Sequence, residues 1–262
     1  MRSTQRATGN SVVGRAALVL DAFRQDDASV GVSELARRTG LPKSTVSRLV
    51  GELVDVALLE RVDGSVRLGV RLFELGEHAA RPRDLKKAAT AHMIDLGRAT
   101  GQTIHLAVLD GTDVVYIQIL RALRGPSLPS RVGGRLPAHA TGVGKALLAH
   151  ADEATLAAVI DRGLPRIGPH TITTASALMA ELESIRESGM ACEHEESTAD
   201  VACAASPILA ADGSAIAAVS ASGWDDRMNA ARIAPAVMLA AMGIARMLDK
   251  PRVDAGFRME RA

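Results

Sequence analysis

The sequence predicts an α+β chain of two domains, and three observations support this fold class. Two short helical patterns flank a turn at Gly40, and an Asp-Gly hairpin signal follows them at positions 63 and 64. The proline of the segment Arg81-Pro82-Arg83 then interrupts a helical pattern. Beyond it, helical stretches alternate with short strands and hairpin turns, which is typical of an antiparallel sheet with flanking helices. We therefore predict a first domain over 1–69, a linker helix over 70–82, a second domain over 83–250 and a tail over 251–262.

Composition indicates a soluble globular protein. Apolar residues make up 47% of the 262 residues and the formal net charge is +1, so any surface for a polyanion has to be local. No uninterrupted apolar run approaches the roughly 18 residues of a membrane span, and the N-terminus lacks the apolar core of a signal peptide. We therefore expect a cytoplasmic protein that does not contact a membrane. Two cysteines form no disulfide framework, and 2% aromatic residues argue against a base-stacking surface.

The first domain is predicted to hold three helices and a hairpin. The helix over 12–23 has five apolar positions at helical spacing, which are Val13, Ala16, Ala17, Leu20 and Phe23. A second helix is expected to take Ser33 as its N-cap and to end at Gly40. A third starts at Pro42, a residue suited to the first helical position. Two short helices around a glycine-containing turn indicate a helix-turn-helix, to which the Asp63-Gly64 hairpin adds a wing.

The third helix carries side chains suited to DNA. Its early, outward-facing positions hold hydroxyl groups and cations, which reach base edges and phosphates in a major groove: Lys43, Ser44, Thr45, Ser47 and Arg48. Between Arg37 and Arg48 there are four basic residues and no acidic one, which predicts a local positive field. The alternative is an ordinary solvated helical face.

Further candidate DNA contacts lie outside the third helix. Ser33 on the second helix and Arg67 on the wing complete the predicted DNA-binding set. Arg2, Arg6 and Arg15 near the N-terminus are candidates for contacts with phosphate or the minor groove.

In the second domain, turn signals divide helices from strands. A helix from Leu85 to Ala99 ends at Gly101, and hairpins are predicted around Asp110-Gly111 and Asp212-Gly213. The segment 121–137 is expected to be a long loop. Further helices are predicted at 142–150, 152–161 and 175–188, a strand at 190–195, and hairpin strands at 201–209 and 215–222. The closing helix runs to Asp249 and is expected to bend or restart at Pro235.

The segment Thr141-Gly142-Val143-Gly144-Lys145-Ala146 invites a nucleotide-binding interpretation, because glycines at a helix start let backbone N–H groups approach an anion. It fails the fuller pattern. A Walker loop needs four residues between its glycines and a Ser or Thr after the lysine, and a dinucleotide fingerprint needs a preceding strand of a βαβ unit. A helix start that accepts a small carboxylate needs neither.

A metal site and a catalytic site are weaker interpretations. Cys192, His194, Glu195 and Cys203 are possible zinc ligands, but the first two are i, i+2 rather than at the spacing of a structural finger. Cys203 is a possible nucleophile with His139 or His170 as base, yet it lies in a hydrophobic strand where a thiol is usually inert. We predict no metal, no cofactor and no catalysis. Three methionines near the end of the chain suit core or dimer-facing positions: Met238, Met242 and Met247.

Several segments in the same order resemble one protein family. Residues 32–59 with the following wing resemble the N-terminal domain of the IclR family of bacterial transcriptional regulators. Five later segments look like the effector-domain signature of that family: Gly133 to Ala149, His170 to Thr173, Glu195-Glu196, Cys203 to Pro207, and Ser220 to Gly223. Together they cover about residues 11–250.

The resemblance implies a GAF-like effector domain with a ligand pocket. Backbone groups of Gly142 and Val143 would face the ligand, and the implied side-chain lining is Leu128, Leu136, Ala140, Glu193, Cys203, Ser220 and Ser222. Ser220 and Ser222 are two apart on a predicted strand, so both hydroxyls face one side. Glu193 replaces a shorter aspartate and Asp200 a frequent glycine, and both changes add negative charge near the site.

The implied function is regulation of transcription. A winged helix-turn-helix would bind double-stranded operator DNA, and a small carboxylate or aromatic acid in the pocket would change the placement of the DNA-binding domains through the helix at 70–81. Pairing on a palindromic operator implies a homodimer, with further assembly to a tetramer. The sign of regulation, repressor or activator, stays open. The competing interpretations are a helix-turn-helix that contacts protein rather than DNA, and an enzyme of the effector fold.

Overall fold

The computed structural model describes residues 11–249 and divides the chain between Arg83 and Asp84 into two compact units. The first unit contains α1 (Val12–Asp21), α2 (Val32–Thr39), α3 (Lys43–Asp55), β1 (Leu59–Val62), β2 (Ser65–Leu68) and α4 (Val70–Glu77). The helix α5 (Ala80–Thr100) spans the division. The second unit continues with β3 (Thr103–Asp110), β4 (Asp113–Leu120), β5 (Arg135–Pro137), a 3-10 turn (Ala138–Ala140), α6 (Gly142–Leu148), α7 (Glu153–Asp161), α8 (Ala175–Ser188), β6 (Ala191–His194), β7 (Val201–Leu209), β8 (Ala215–Trp224) and α9 (Ala230–Leu248). The predicted α+β class is confirmed.

The first unit is a three-helix core with a β-hairpin. Val19 of α1, Leu35 of α2 and Leu49 of α3 are fully or almost fully buried in one cluster. The hairpin turns at Asp63 (φ 45°) and Gly64 (φ 77°), and two successive residues with positive φ are the signature of the tight turn that the Asp-Gly pair predicts. The helix-turn-helix and its wing are therefore both present.

Three details of the helices differ from prediction. Gly31, with extended backbone, is the N-cap of α2, and Ser33 lies exposed in the first turn. Pro42 is the N-cap of α3, which places the first helical residue at Lys43. In α1, Val13 is 79% exposed and Val19 is buried. The apolar face by which α1 packs on the other helices is therefore rotated relative to the face that the sequence predicted.

Gly69 follows the wing where two backbone segments meet. A Cβ atom there would lie 2.2 Å from the carbonyl oxygen of Ala57. The Gly69 N–H donates to the carbonyl of Leu58 at 2.9 Å, which holds the chain in this close approach. Only glycine fits a position where one backbone passes so near another.

The predicted single linker helix over 70–82 is two helices in the structure. α4 ends at Glu77, α5 begins at Ala80, and Pro82 lies within the first turn of α5. The N–H groups of a first turn have no intrahelical acceptor, so a proline there costs no hydrogen bond. The break is therefore before the proline, at His78 and Ala79.

The second unit is built on one six-stranded antiparallel sheet with strand order β5-β4-β3-β8-β7-β6. On one face, Ile104, Ala204 and Val219 pack against α5 and α9. On the other face, Ala107, Cys203 and Ala205 pack with α6, α7 and α8. The sheet is thus a middle layer between two layers of helices, as the alternation along its strands requires.

Two segments of this unit differ from expectation. The segment 121–137 includes the short strand β5, whose Leu136 pairs with Val114 of β4. α9 continues through Pro235 as one helix rather than restarting there. It begins at Ala230, where the N-cap residue Asn229 accepts the Arg232 N–H through Oδ1.

α9 is also long and apolar enough to cross a membrane by length and composition. The sequence pattern predicted no such helix. Val237, Ala241 and Ile244 of this helix are buried against the sheet, whereas Leu239, Met242 and Met247 are exposed. Length and composition are therefore weak evidence for a membrane span here.

Candidate functional site

The exposed face of α3 is the first candidate site. Its opposite face is buried through Val46, Leu49, Val50 and Leu53. Among the predicted DNA contacts, Thr45 is half-buried and four side chains are exposed: Lys43, Ser44, Ser47 and Arg48. Helix packing thus fixes which side of α3 faces solvent, and hydroxyls and cations occupy that side near its N-terminus.

Carboxylates accompany most cations of this surface. Arg48 Nη1 donates to Glu52 Oε1 at 2.7 Å, and Arg37 Nη2 donates to Glu34 Oε1 at 2.7 Å. Lys43 has no ion-pair partner among the described residues. The positive field expected from the four basic residues is therefore partly balanced within the unit.

Arg38 has a structural position. Its side chain is 13% exposed and donates to Glu34 Oε1 at 2.8 Å, to the Ala22 carbonyl at 3.0 Å and to Asp27. The hydrogen bond from Arg38, followed by one from the Arg24 backbone N–H, lowers the pKa of Asp27 to about 2. The guanidinium thus ties α2 to the segment after α1 and does not contribute to an open cationic surface.

The remaining predicted DNA contacts lie at the periphery. Ser33 is exposed on α2, and Arg67 on the wing forms an exposed ion pair with Glu60 at 2.8 Å. Arg15 is half-buried, and its Nε is a buried nitrogen without a hydrogen-bond partner in the described part of the chain. Arg2 and Arg6 lie outside the described residues.

The second candidate site is a cavity in the second unit with an empty volume of about 340 Å³, part of it open to solvent. It lies at the face of the sheet that α6 covers. Residues from all six strands of the sheet, from the start of α6 and from the loops before β5 and after β6 line it: His105, Tyr116, Leu128, Pro129, Ser130, Leu136, Thr141, Gly142, Val143, Glu193, Ser197, Val201, Cys203, Ser220 and Ser222.

The structure brings together eight of the nine pocket residues named in the sequence analysis. They are Leu128, Leu136, Gly142, Val143, Glu193, Cys203, Ser220 and Ser222. Ala140 is fully buried in the 3-10 turn and does not line the cavity, which corrects its expected position. The register explains why the others converge. Cys203 lies opposite Glu193 on one neighbouring strand and opposite Ser222 on the other.

His105 and Tyr116 are cavity residues that the sequence reasoning missed. His105 Nε2 is 2.9 Å from Ser130 Oγ, and its Nδ1 is 3.4 Å from both Ser220 Oγ and Ser222 Oγ. Burial, with a smaller contribution from Arg121, lowers the pKa of His105 to about 3, so its imidazole is neutral. The available signal was a polar residue between Ile104 and Leu106, on the face opposite those two apolar side chains.

Glu193 carries the carboxylate of the cavity. It is 3% exposed, and its Oε1 accepts hydrogen bonds from the Ser197 N–H at 2.9 Å and Oγ–H at 2.6 Å. Its Oε2 accepts the Gly142 N–H at 3.3 Å. Burial raises the pKa of Glu193, while the hydrogen bonds and the more distant Lys145 oppose that rise.

A buried ion cluster adjoins the cavity. Lys145 of α6 is 1% exposed and its Nζ donates to Glu196 Oε1 at 2.5 Å, to Glu181 Oε1 at 2.9 Å and to the Cys192 carbonyl at 2.8 Å. Burial lowers the pKa of Lys145, but the two carboxylates outweigh burial and the net shift is upward. The cluster therefore fixes α6 to α8 and to the end of β6 through a protonated lysine.

The glycines of α6 serve close packing. A Cβ at Gly144 would lie 2.1 Å from the Ala138 carbonyl oxygen, and one at Gly142 would lie 2.9 Å from Cys203 Sγ. The Gly144 N–H donates to Thr141 Oγ1, and the Gly142 N–H donates to Glu193. These N–H groups already have acceptors within the chain, which argues against a phosphate cradle.

The geometry does not support the metal and nucleophile interpretations. Cys192 pairs with Ala204 and Cys203 pairs with Glu193, so the two cysteines lie on opposite faces of the sheet. Within residues 11–249, no group of three or more His, Cys, Asp or Glu side chains is arranged to hold a metal ion. Burial, with a contribution from Glu193, raises the pKa of Cys203 to about 12. His139 and His170 instead contact the Pro165 carbonyl and Glu195.

Family models match both units of the chain. The model described as the IclR helix-turn-helix domain matches residues 12–63, and that described as bacterial transcriptional regulator IclR C-terminal matches residues 77–249. The chain is similar to the HTH-type transcriptional regulator XynR of Escherichia coli K12, with 33% identity over 91% of this chain and 97% of that protein. It is also similar to the HTH-type transcriptional repressor AllR of the same strain, with 30% identity over 84% of this chain and 83% of that protein.

Solved structures extend the comparison. An IclR homologue from Microbacterium hydrocarbonoxydans, complexed with 4-hydroxybenzoate, superposes with a TM-score of 0.84 at 35% identity, covering 91% of this chain and 99% of that one. The Thermotoga maritima IclR superposes with a TM-score of 0.72 at 28% identity, covering 91% and 98%. Both units, in this order, therefore have relatives in one family. The chain belongs to the IclR family of bacterial transcriptional regulators.

Proposed function

We propose that this protein binds operator DNA through α3 and that a small organic acid in the cavity modulates this binding. The observation that carries the proposal is one chain holding two sites of different chemistry. One is an exposed helix face of hydroxyls and cations, and the other is a polar cavity enclosed between sheet and helix. The proposed domain organisation keeps the predicted ranges 1–69, 70–82, 83–250 and 251–262.

Hydroxyl groups in the cavity support an acid ligand. Ser220 and Ser222 point to one side of β8, beside the neutral imidazole of His105. Such donors bind a carboxylate or a phenol without a fixed positive charge. That a relative in the family is complexed with 4-hydroxybenzoate makes an aromatic carboxylate a reasonable first probe.

A homodimer is part of the proposal. A helix-turn-helix gains specificity by pairing on a palindromic site. α4 buries no side chain within its unit, and Val70, Phe73 and Leu75 are at least half exposed. Adjacent exposed apolar side chains mark a surface for association, and a second copy is the partner we propose. Sedimentation that gives only a monomer at micromolar concentration would contradict this part.

The buried, protonated thiol of Cys203 supports a role in binding rather than in catalysis. We therefore propose that the protein is not an enzyme, and that it acts in the cytoplasm, where its DNA is. Release of any product from an acid or ester by this chain, abolished in Cys203→Ser, would overturn this view.

Fluorescence anisotropy tests the proposal as a whole. The protein is titrated on its own upstream intergenic DNA and on scrambled DNA, at several salt concentrations, with and without 4-hydroxybenzoate and other small acids. We expect preference for the upstream DNA, weakening with salt, and a several-fold shift with one acid. Equal binding to both DNAs, unmoved by any acid, would contradict the proposal.

Two variants locate the DNA site. Lys43→Ala with Arg48→Ala should weaken binding to every DNA and reduce the salt dependence, because two candidate phosphate contacts are lost. Arg227→Ala removes an exposed cation of the second unit and serves as the control. Equal effects of the two changes would place the DNA site elsewhere.

A further inference from the structure

The charge of the cavity is unbalanced. Among the described residues that line it, Glu193 is the one carboxylate, and none is a lysine or an arginine. Every other lining side chain is apolar, a hydroxyl, a thiol or the neutral imidazole of His105. The Arg121 guanidinium lies behind the cavity wall and donates to the Ser130 carbonyl at 2.6 Å, but Arg121 does not line the cavity. A second carboxylate placed in this space would therefore meet a buried carboxylate with no cation among the lining side chains.

The two oxygens of Glu193 differ in their partners. Oε1 accepts two short hydrogen bonds from Ser197, at 2.9 and 2.6 Å. Oε2 accepts one long hydrogen bond, 3.3 Å from the Gly142 nitrogen. A proton that arrives at this carboxylate therefore binds Oε2, where the least hydrogen bonding is lost, and the resulting O–H becomes a donor.

We propose that a carboxylate effector enters the cavity together with one proton, which neutralises Glu193 at Oε2. This inference rests on the proposed function, because it requires that an acid binds here. The ligand arrives as an anion, a proton from solvent binds the Glu193 carboxylate, and the complex carries one negative charge shared between two oxygen groups. Two carboxylates that share a buried site bind one proton for the same reason.

The groups around Glu193 leave it as the titrating group of the cavity. From β7, burial raises the pKa of Cys203 to about 12, and from β4 burial raises the pKa of Tyr116. From β3, His105 stays neutral because burial lowers its pKa to about 3.

Behind α6, the ammonium group of Lys145 contacts Glu196 and Glu181 rather than Glu193. Burial raises the pKa of Glu196, as it does that of Glu193, but Glu196 does not line the cavity. Burial also raises the pKa of Cys192, which lies on the other face of β6. Each of these groups either keeps one protonation state near neutral pH or lies outside the space that the ligand would occupy.

Isothermal titration calorimetry of the full chain with 4-hydroxybenzoate and with benzoate tests the proposal. Each titration is run from about pH 6 to about pH 8, in pairs of buffers that differ in ionisation enthalpy. We expect uptake of about one proton per bound acid at the upper end, and about a tenfold loss of affinity per pH unit there. Glu193→Gln should bind the acids without proton uptake, at a pH-independent affinity that exceeds that of the unmodified protein at about pH 8.

The control and the contrary outcomes are distinct. Glu183→Gln removes an exposed carboxylate of α8 and should behave as the unmodified protein does. Acid binding that takes up no proton and does not change with pH overturns the inference while the proposed function stands. The inference is also overturned if Glu193→Gln binds the acids more weakly than the unmodified protein does at about pH 8. If both proteins bind neither acid at any pH, the acid effector itself is wrong. Should Glu193→Gln fail to fold, the proton count of the unmodified protein decides alone.

Discussion

Charged side chains serve different purposes in the two units. In the first unit, Arg48 and Arg67 each contact a carboxylate at the surface, and both guanidinium side chains are more than half exposed. In the second unit, Lys145 contacts Glu196 with side-chain exposures of 1% and 9%. Exposed pairs contribute little to stability and exchange partners readily, whereas a buried charge that loses its partner is left uncompensated. The first arrangement suits a surface that meets phosphates, and the second suits a helix held rigidly behind a ligand cavity.

The largest effect should come from breaking the buried cluster. Lys145→Met leaves Glu196 and Glu181 without their cation, so we expect a loss of about 3–5 kcal/mol in the free energy of unfolding. Urea denaturation measures it, followed by the fluorescence of Trp224, the single tryptophan, and by far-UV circular dichroism, which reports both units.

The matched control for that change is Lys43→Met on the first unit, which should alter stability by less than about 0.5 kcal/mol. Combining Lys145→Met with Glu196→Gln should restore part of the loss, since one orphaned charge is removed. Equal stabilities of Lys145→Met and Lys43→Met would show that burial does not distinguish the two regions.

The Arg38–Asp27 pair is intermediate between these extremes, because its two side chains are 13% and 15% exposed. Hydrogen bonds from Arg37 and Arg38 lower the pKa of Glu34 from 4.5 to about 2, and the hydrogen bond from Arg38 lowers the pKa of Asp27 from 3.8 to about 2. A carboxylate with a lowered pKa stabilises the fold above its unfolded pKa, and that contribution is lost as the pH falls through the folded value.

Arg38→Gln should therefore lower the melting temperature at neutral pH and reduce the further loss between about pH 4 and about pH 2. Thermal unfolding followed by far-UV circular dichroism at several pH values measures this, with Arg61→Gln on the wing as the control. If the melting temperatures of Arg38→Gln and of the unmodified protein fell equally over that pH range, the ion pair would not explain the acid sensitivity.

Within the cavity, a smaller effect is expected from one hydroxyl. Ser220→Ala removes a donor beside His105 while Ser222 keeps its own contact with the same ring nitrogen. We expect about tenfold weaker binding of the acid effector and little change in stability. Calorimetric titration with 4-hydroxybenzoate checks it, and Ser214→Ala in the exposed β7–β8 turn is the control. If Ser220→Ala binds the acid as tightly as the unmodified protein does, the carboxylate of the ligand contacts another wall of the cavity.

Local signals account for what the sequence could predict of this fold. Gly40 ends α2 in a left-handed conformation, and Asp63 with Gly64 makes the wing turn, because few residues other than glycine and aspartate adopt positive φ at low cost. Strand alternation likewise placed Ser220 and Ser222 on one face, where the structure has them in the cavity.

What the sequence could not predict depends on partners that are distant along the chain. Arg38 counted as part of a positive field, yet its partner Asp27 is eleven residues away in a loop. His105 entered the cavity through its pairing opposite Ser220, more than a hundred residues later. The helix break predicted at Pro82 was wrong for a different reason. Its effect depends on its position in a helix turn, and that position is set by where the helix starts.

The smallest effect tests whether the exposed pairs of the first unit exchange partners. Glu52→Gln releases Arg48 from its 2.7 Å contact, so this guanidinium no longer has to leave a carboxylate before it meets a phosphate. An exposed i, i+4 pair is worth about 0.3–0.5 kcal/mol, so we expect roughly twofold tighter binding to DNA in anisotropy titrations at low salt. The gain should shrink as salt rises, because the lost attraction is itself screened.

Asp55→Asn removes an exposed acid of the same helix that does not contact Arg48, and it separates release of the guanidinium from the general loss of negative charge. Suppose that Glu52→Gln tightens DNA binding no more than Asp55→Asn does, or that it tightens binding equally when Arg48→Ala is also present. Arg48 then does not exchange its carboxylate for a phosphate, and the charged pairs of the two units differ only in how deeply they are buried.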